Sequence, residues 1–273
     1  MINNGGSDRG DDKWTRELLD MNVLDSPGYV ISLWPLIRMN GGADLLAAYN
    51  AFSILLEPHL PPHCELYPPS ALHITIATLS SFAEDTTKNT TKEARLIDEA
   101  MLGELLNRAR RDPEFPVHNT TLSATIRRPT LSEGNVGFFL NEHDHDHETT
   151  VGFIGTFEKI RRCLKKASIG TPIEHRIKCP RIVHSTFLRF VNTSQVPKGF
   201  RDIFETIAKQ WNNNSITIST NMVELVRESV PYMHMHLPAR HHIVHQVPMG
   251  NAMEVKEDAI PQKDLNTLYD TSN

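Results

Sequence analysis

Two histidine and threonine pairs are the residues of this chain best suited to act together chemically. His73 and Thr75 lie in the apolar run "ALHITIATL", and His184 and Thr186 lie in "RIVHSTFLRF", 111 residues further on. Side chains alternate between the two faces of a β-strand, so each histidine should share a face with its threonine, and Ala77 should join the first pair. The opposite face of each strand is then left to the core.

Two imidazoles and two hydroxyls suit an in-line displacement at phosphorus. Near neutral pH one imidazole can be neutral and the other protonated, because the unperturbed pKa of histidine is about 6.5. One ring then accepts a proton from an attacking water while the other donates a proton to the leaving oxygen. The hydroxyls of Thr75 and Thr186 can donate hydrogen bonds to the non-bridging phosphate oxygens. This chemistry requires no metal ion or cofactor, and we predict none.

The tripeptide His-x-Thr is common by itself, and in this chain it also begins at His118 and His147. The copy at His147 lies in a polar run, and the copy at His118 has no apolar residue after its threonine. His73 and His184 each have apolar residues on both sides of the tripeptide. A lone histidine in a strand is usually structural. Two His-x-Thr tripeptides that are flanked by apolar residues and lie at matched places in a repeated pattern favour a catalytic role.

The elements that should position these residues occur in the same order twice. Strand, helix, strand, helix, strand is predicted in each half, and the histidine lies in the third element each time. This duplication predicts an α+β fold with two lobes, mostly antiparallel sheets around a central cleft, and a pseudo-twofold axis. The predicted strands are 28–34, 71–79 and 120–128, then 135–140, 181–190, 215–219 and 222–228; the predicted helices are 42–60, 91–111, 150–167 and 197–211.

The two ends of the chain differ in composition from its middle. We expect residues 1–26 to be a partly mobile extension and residues 250–273 to be a mobile tail. The part between them, 27–249, is expected to form one bilobal domain, with lobes near 27–130 and 131–249 that are free to exchange strands. The basic runs 108–111 and 161–166 fall at the ends of predicted helices, where cations suit the helix dipole.

Composition and charge exclude several classes of protein. A formal net charge of −5 argues against a dedicated binder of long nucleic acid, which needs a basic stripe for the phosphates. The three cysteines are odd in number and irregularly spaced, which is typical of free thiols in a reducing compartment. No apolar run approaches the length of a membrane span. We expect a monomer in the cytoplasm, with the nucleus also allowed.

The paired motifs "LHITIATL" and "VHSTFLRF" resemble the signature of the two-histidine (2H) phosphoesterase superfamily. "YVISLWPL" and "NVGFFL" add a similarity to its cyclic phosphodiesterase branch, over roughly residues 28–248. The resemblance implies metal-independent hydrolysis of a small nucleotide, either a nucleoside 2′,3′-cyclic phosphate or ADP-ribose 1″,2″-cyclic phosphate. It also implies that His73 and His184 are catalytic and that Thr75 and Thr186 bind the phosphate.

Two other functions remain open from the sequence. The same superfamily includes phosphodiesterases that process RNA 3′ ends and RNA 2′-5′ ligase-like proteins, so RNA ends are an alternative substrate. The negative net charge of the chain argues against this alternative, because RNA phosphates need basic side chains. A non-catalytic module that binds nucleotides or RNA is the second alternative, although a binder has no need for a matched acid and base.

A few further residues are candidates for binding. Tyr232 and Trp34 are candidates for stacking on a nucleobase, since an aromatic face holds a base by about 1–3 kcal/mol. The histidine-rich segments 143–147, with imidazole and carboxylate groups, and 234–245, with imidazoles, suit a transition metal. Such segments are more often solvated loops and edge strands, and no metal site is assigned to them.

Overall fold

The computed structural model describes residues 28–62, 64–80, 98–116, 121–131, 136–140, 149–180, 183–190, 196–211, 215–228 and 241–249. Four α-helices lie in these ranges: α1 (Gly42–Leu56), α2 (Glu99–Arg110), α3 (Thr149–Ser168) and α4 (Lys198–Trp211). The strands are β1 (Gly28–Leu33), β2 (Cys64–Leu66), β3 (Ile74–Ser80), β4 (Leu122–Ile126), β5 (Pro129–Leu131), β6 (Val136–Leu140), β7 (His184–Phe190), β8 (Ile216–Thr220), β9 (Met222–Glu228) and β10 (His241–Pro248).

The described strands form two four-stranded sheets and a two-stranded ribbon. The first sheet has the order β10-β9-β1-β3, the second has the order β2-β7-β6-β5, and β4 pairs with β8. Each of these strand pairs is antiparallel. The predicted α+β class with antiparallel sheets is therefore confirmed.

The two four-stranded sheets contain the same arrangement of three strands, with the two halves of the chain interchanged. In the first sheet β9 pairs with β1 and β1 pairs with β3; in the second sheet β5 pairs with β6 and β6 pairs with β7. Strand β9 comes from the second half of the sequence but joins the first sheet, and β5 comes from the first half but joins the second sheet. The last strand of each predicted repeat, β4 or β8, meets its counterpart in the ribbon.

Helices are exchanged as well, although no pattern in the sequence predicts this. Helix α1 packs on the second sheet, where the rings of Phe52 and Phe187 meet edge to face at 5.5 Å. Helix α3 packs on the first sheet, where Arg161 contacts β3. Each sheet is therefore covered and extended by elements of the other half of the chain.

The apolar periodicity of the helices explains which faces they bury. In α4 the buried positions recur three and four residues apart, which aligns them in one stripe. They are Phe200, Phe204, Ile207, Ala208 and Trp211.

Two helix boundaries differ from those predicted. Helix α1 ends at Leu56, before the predicted limit of residue 60, because Pro58 has no N–H to continue the helix and 57–59 form a 3₁₀ turn. Helix α2 begins at Glu99 rather than at residue 91, and the Asp98 side chain caps it by accepting a hydrogen bond from the Ala100 N–H at 2.9 Å. Residues 91–97 lie outside the described part of the chain.

Among the helices that are described, none has the length and apolar content to cross a membrane.

Candidate active site

The two strands that carry the His-x-Thr motifs, β3 and β7, contact each other. Each also pairs with a segment that precedes the other motif. Strand β2 pairs with β7, and Lys178 pairs with Thr78 of β3 through two main-chain hydrogen bonds of 2.7 and 2.8 Å. This reciprocal pairing brings together two motifs that are 111 residues apart in the sequence.

His73 is oriented by a turn rather than by the strand. Strand β3 begins at Ile74, so the prediction that His73 lies within the strand is wrong by one residue. A 3₁₀ turn at Pro69–Ala71 precedes it, and the Nδ1 of His73 lies 2.7 Å from the carbonyl oxygen of Ala71. Because a carbonyl can only accept, Nδ1 carries the proton of this hydrogen bond. In the neutral ring, Nε2 is then the nitrogen that can accept a proton from a substrate or water.

The four residues of the two motifs have matching environments. His73, Thr75, His184 and Thr186 are all half-buried, while the residues between and after them are buried. Thr75 lies opposite Ser32 of β1, and Thr186 lies opposite Phe138 of β6. The predicted alternation between an open face and a core face therefore holds from each histidine to its threonine.

Beyond the threonines the alternation is broken by a β-bulge in each strand. The register with the neighbouring strand skips Ile76 in β3 and Phe187 in β7, each three residues after the histidine. As a consequence Ala77 is fully buried opposite Ile31, and the prediction that Ala77 shares a face with His73 is wrong. The extra residue turns the following side chains to the other face.

The carbonyl of each bulged residue accepts a hydrogen bond from the other half of the chain. Arg161 of α3 donates from Nε to the carbonyl of Ile76 at 2.9 Å, and the Tyr67 N–H donates to the carbonyl of Phe187 at 2.8 Å. Arg161 is only 3% exposed, and its Nη1 pairs with Glu158 at 2.6 Å. No pattern in the sequence indicates this contact, since a basic run near the end of a helix is normally solvated.

A buried polar row continues from Thr75 across the first sheet. Thr75 pairs with Ser32, and Ser32 pairs in turn with Glu224 of β9, so the three side chains lie on one face. Ser32 is fully buried and Glu224 is 5% exposed. Burial raises the pKa of the Glu224 carboxyl to about 8, and the hydrogen bond from the Trp34 backbone N–H partly opposes this shift. In the sequence, Glu224 was an ordinary polar residue of a strand.

Trp34 lies on the same face as this row. Its ring packs against Val30 and Val226. These valines pair with each other across β1 and β9, two residues away from Ser32 and Glu224. The other predicted stacking residue, Tyr232, lies outside the described residues.

The histidine-rich segments are only partly described. Residues 143–147 and 234–240 lie outside the described part of the chain. In β10 a register shift between Ile243 and His245 interrupts the alternation along this strand, and the Nε2 of His245 bonds to the Oδ1 of Asn107 at 2.9 Å. Within the described ranges, no group of three or more histidine, cysteine or acidic side chains is arranged to hold a metal ion.

No protein-family model and no curated protein sequence matches this chain. Several solved structures align with it over most of its length. A structure described as a phosphoesterase aligns with a TM-score of 0.46 and 10% identity, covering 82% of this chain and 99% of that one. E. coli LigT complexed with 3′-AMP gives 0.46 and 11%, covering 83% and 99%. Kluyveromyces marxianus Usb1 with uridine monophosphate gives 0.41 and 11%, covering 74% and 94%. These similarities are distant, and no residue of this chain takes a role from them.

Proposed function

We propose that the chain is a phosphodiesterase that hydrolyses the cyclic phosphodiester of a small nucleotide through paired-histidine acid and base catalysis. The substrate class is a nucleoside 2′,3′-cyclic phosphate or ADP-ribose 1″,2″-cyclic phosphate. The observation that carries the proposal is the matched construction of the two motifs. Each has a half-buried histidine and threonine, a bulge three residues after the histidine, and main-chain pairing with a segment of the other half, Lys178 for β3 and β2 for β7.

The reaction assigns one task to each side chain. One imidazole accepts a proton from water as the water oxygen attacks phosphorus. The bond from phosphorus to one ring oxygen breaks, and the second imidazole, initially protonated, donates its proton to that oxygen. The product is a phosphate monoester, and the two rings have exchanged protonation states. Thr75 and Thr186 donate hydrogen bonds to the non-bridging oxygens, where negative charge develops.

The hydrogen bond of His73 supports its part in this scheme. Nδ1 is held by the Ala71 carbonyl, which fixes the ring plane and leaves Nε2 to exchange the proton. The chain's own residues therefore provide an acid, a base and two hydroxyl donors, and no step is assigned to a metal ion.

The test is hydrolysis of adenosine 2′,3′-cyclic phosphate in the presence of EDTA. We expect turnover by the wild-type chain and a loss of about 10²–10⁴-fold in kcat for His73→Ala and for His184→Ala. The matched controls are His118→Ala and His147→Ala, which remove the histidines of the two other His-x-Thr tripeptides. We expect both controls to keep full activity.

Turnover that survives in His73→Ala and His184→Ala would refute the proposal, as would equal losses in all four variants. An oligonucleotide with a cyclic 3′ end serves as a second substrate. A preference for it of several orders of magnitude over the mononucleotide would replace the proposal by RNA end processing.

A further inference from the structure

The carboxyl of Glu224 holds the backbone at the point where β1 leaves the first sheet. The pairing of β1 with β3 reaches Leu33, and its pairing with β9 reaches Ser32. The next N–H, that of Trp34, donates to the Oε2 of Glu224 at 3.3 Å. A side chain thus supplies an acceptor where the strand ladder stops.

Trp34 extends from this point over the face that carries the motif threonine. Its partly buried ring packs on Val30 and Val226, and both valines share a face with Ser32 and Glu224 because strand positions two apart point the same way. Thr75 belongs to this face through its pairing with Ser32. Adjacent strands are about 4.8 Å apart, so β9 lies roughly 10 Å from β3 across the sheet. Thr75 and the aromatic ring therefore lie on the same face of the first sheet.

In the described part of the second sheet, the positions equivalent to Ser32 and Glu224 carry no carboxyl. At the corresponding register positions beside Thr186 it carries Phe138 and then Thr130. Among the described residues, a carboxyl at this register position occurs only on the side of the pseudo-twofold that includes His73, where it binds the Trp34 N–H. A substrate with a phosphate at one end and a base at the other needs such an asymmetry.

We infer that Glu224 is a positioning residue that holds Trp34 as the platform for the substrate's nucleobase. The inference rests on the proposed function and extends it to the nucleoside part of the substrate. Glu224 acts through Trp34 and does not itself touch the reacting atoms.

The chemistry of the carboxyl suits this role. Buried at 5% exposure, it is stable as the neutral acid, whose carbonyl oxygen still accepts the hydrogen bond from the Trp34 N–H. Glutamine has the same shape and keeps a carbonyl acceptor, whereas leucine has none. The two substitutions therefore separate the loss of the acceptor from the loss of the acid.

The experiment measures KM and kcat for adenosine 2′,3′-cyclic phosphate and for glycerol 1,2-cyclic phosphate, which has no base. For Glu224→Leu we expect KM for the nucleotide to rise about tenfold with kcat unchanged, the size of one lost base-stacking contact. Glu224→Gln should keep the wild-type KM. None of the variants should change the turnover of the base-free substrate.

A matched control and a double mutant complete the test. Glu228→Leu removes another buried carboxyl from the same face of β9, four residues away, and should leave KM unchanged. Trp34→Leu should raise KM as Glu224→Leu does, and the double variant should be no worse than either single one. Additive effects of the two substitutions, or an equal loss on the base-free substrate, would overturn the inference. Absence of turnover of both cyclic phosphates by the wild-type chain would instead refute the proposed function.

Discussion

Arg161 donates a hydrogen bond from Nε to the main-chain carbonyl of Ile76 over 2.9 Å. Ile76 is the bulged residue that directly follows Thr75, and its side chain is fully buried. The bond therefore joins a helix of the second half of the chain to the strand that presents the first motif. A bulge leaves a carbonyl outside the ladder, and a buried carbonyl needs a donor.

Replacing Arg161 by methionine removes the donor while keeping most of the apolar stem. We expect the free energy of unfolding to fall by about 1–3 kcal/mol, because the Ile76 carbonyl loses this donor. A fall of about tenfold in kcat should accompany it, since a shift of the bulge moves Thr75 away from the phosphate. Urea denaturation and steady-state kinetics measure the two effects.

The matched control for this prediction is the next residue. Arg162→Met removes an arginine that is 56% exposed and pairs with Glu114 at 3.6 Å. An exposed pair of this kind contributes about 0–1 kcal/mol, so both measurements should stay near the wild type. Equal effects of the two substitutions would show that Arg161 has no special role.

Replacing Thr75 or Thr186 by valine removes a hydroxyl at nearly constant volume. We expect each substitution to lower kcat by about 10²-fold, the usual effect of deleting one donor to a developing oxyanion. Thr125→Val provides the comparison, because this hydroxyl lies 3.2 Å from that of Thr217 in the ribbon, far along the chain from both motifs. A kcat that is unchanged in Thr75→Val and Thr186→Val would contradict the assignment of phosphate binding.

Glu224 predicts a dependence of stability on pH. Its pKa is about 8 in the folded chain, above the ordinary value of 4.5, because burial disfavours the charged form. A raised pKa contributes stability that is complete below the ordinary value and is lost as the pH rises through the folded value. Its cross-strand neighbours, Ser32 and Gln246, do not titrate.

The test compares the wild-type chain with Glu224→Gln from about pH 4.5 to about pH 8. The free energy of unfolding of the wild type should fall relative to that of the variant by up to about 1.4 kcal/mol for each pH unit. Above the folded pKa the difference should level off. Parallel curves for the two proteins would mean that the carboxyl is not protonated in the folded state.

Tyr49 gives a prediction for the second motif. Its hydroxyl donates to the carbonyl of Tyr67, whose N–H donates to the bulged carbonyl of Phe187. Tyr49→Phe removes the first bond without a loss of ring packing. We expect the free energy of unfolding to fall by about 1–2 kcal/mol, measured by urea denaturation, and no effect on stability would contradict the contribution of this bond.

Local patterns in the sequence predicted much of the fold. The helices were found because apolar residues recur with the helical period, as in α4, and the long strands because their apolar runs are bounded by turn residues. Strands β2 and β5 were missed, since each has only three residues, too few to show a periodicity, and prolines lie in or near both. They are strands because β7 and β6 provide hydrogen-bond partners for them.

The sequence by itself determined the residue types of the candidate site, because His73, Thr75, His184 and Thr186 are recognisable from their spacing and apolar frame. Only the tertiary structure decided how these residues are held. The bulges at Ile76 and Phe187, the donor from Arg161 and the row that ends at Glu224 depend on groups far apart in the chain. Hydrogen bonds of this kind follow from the packing of one half of the chain on the other, which no local pattern records.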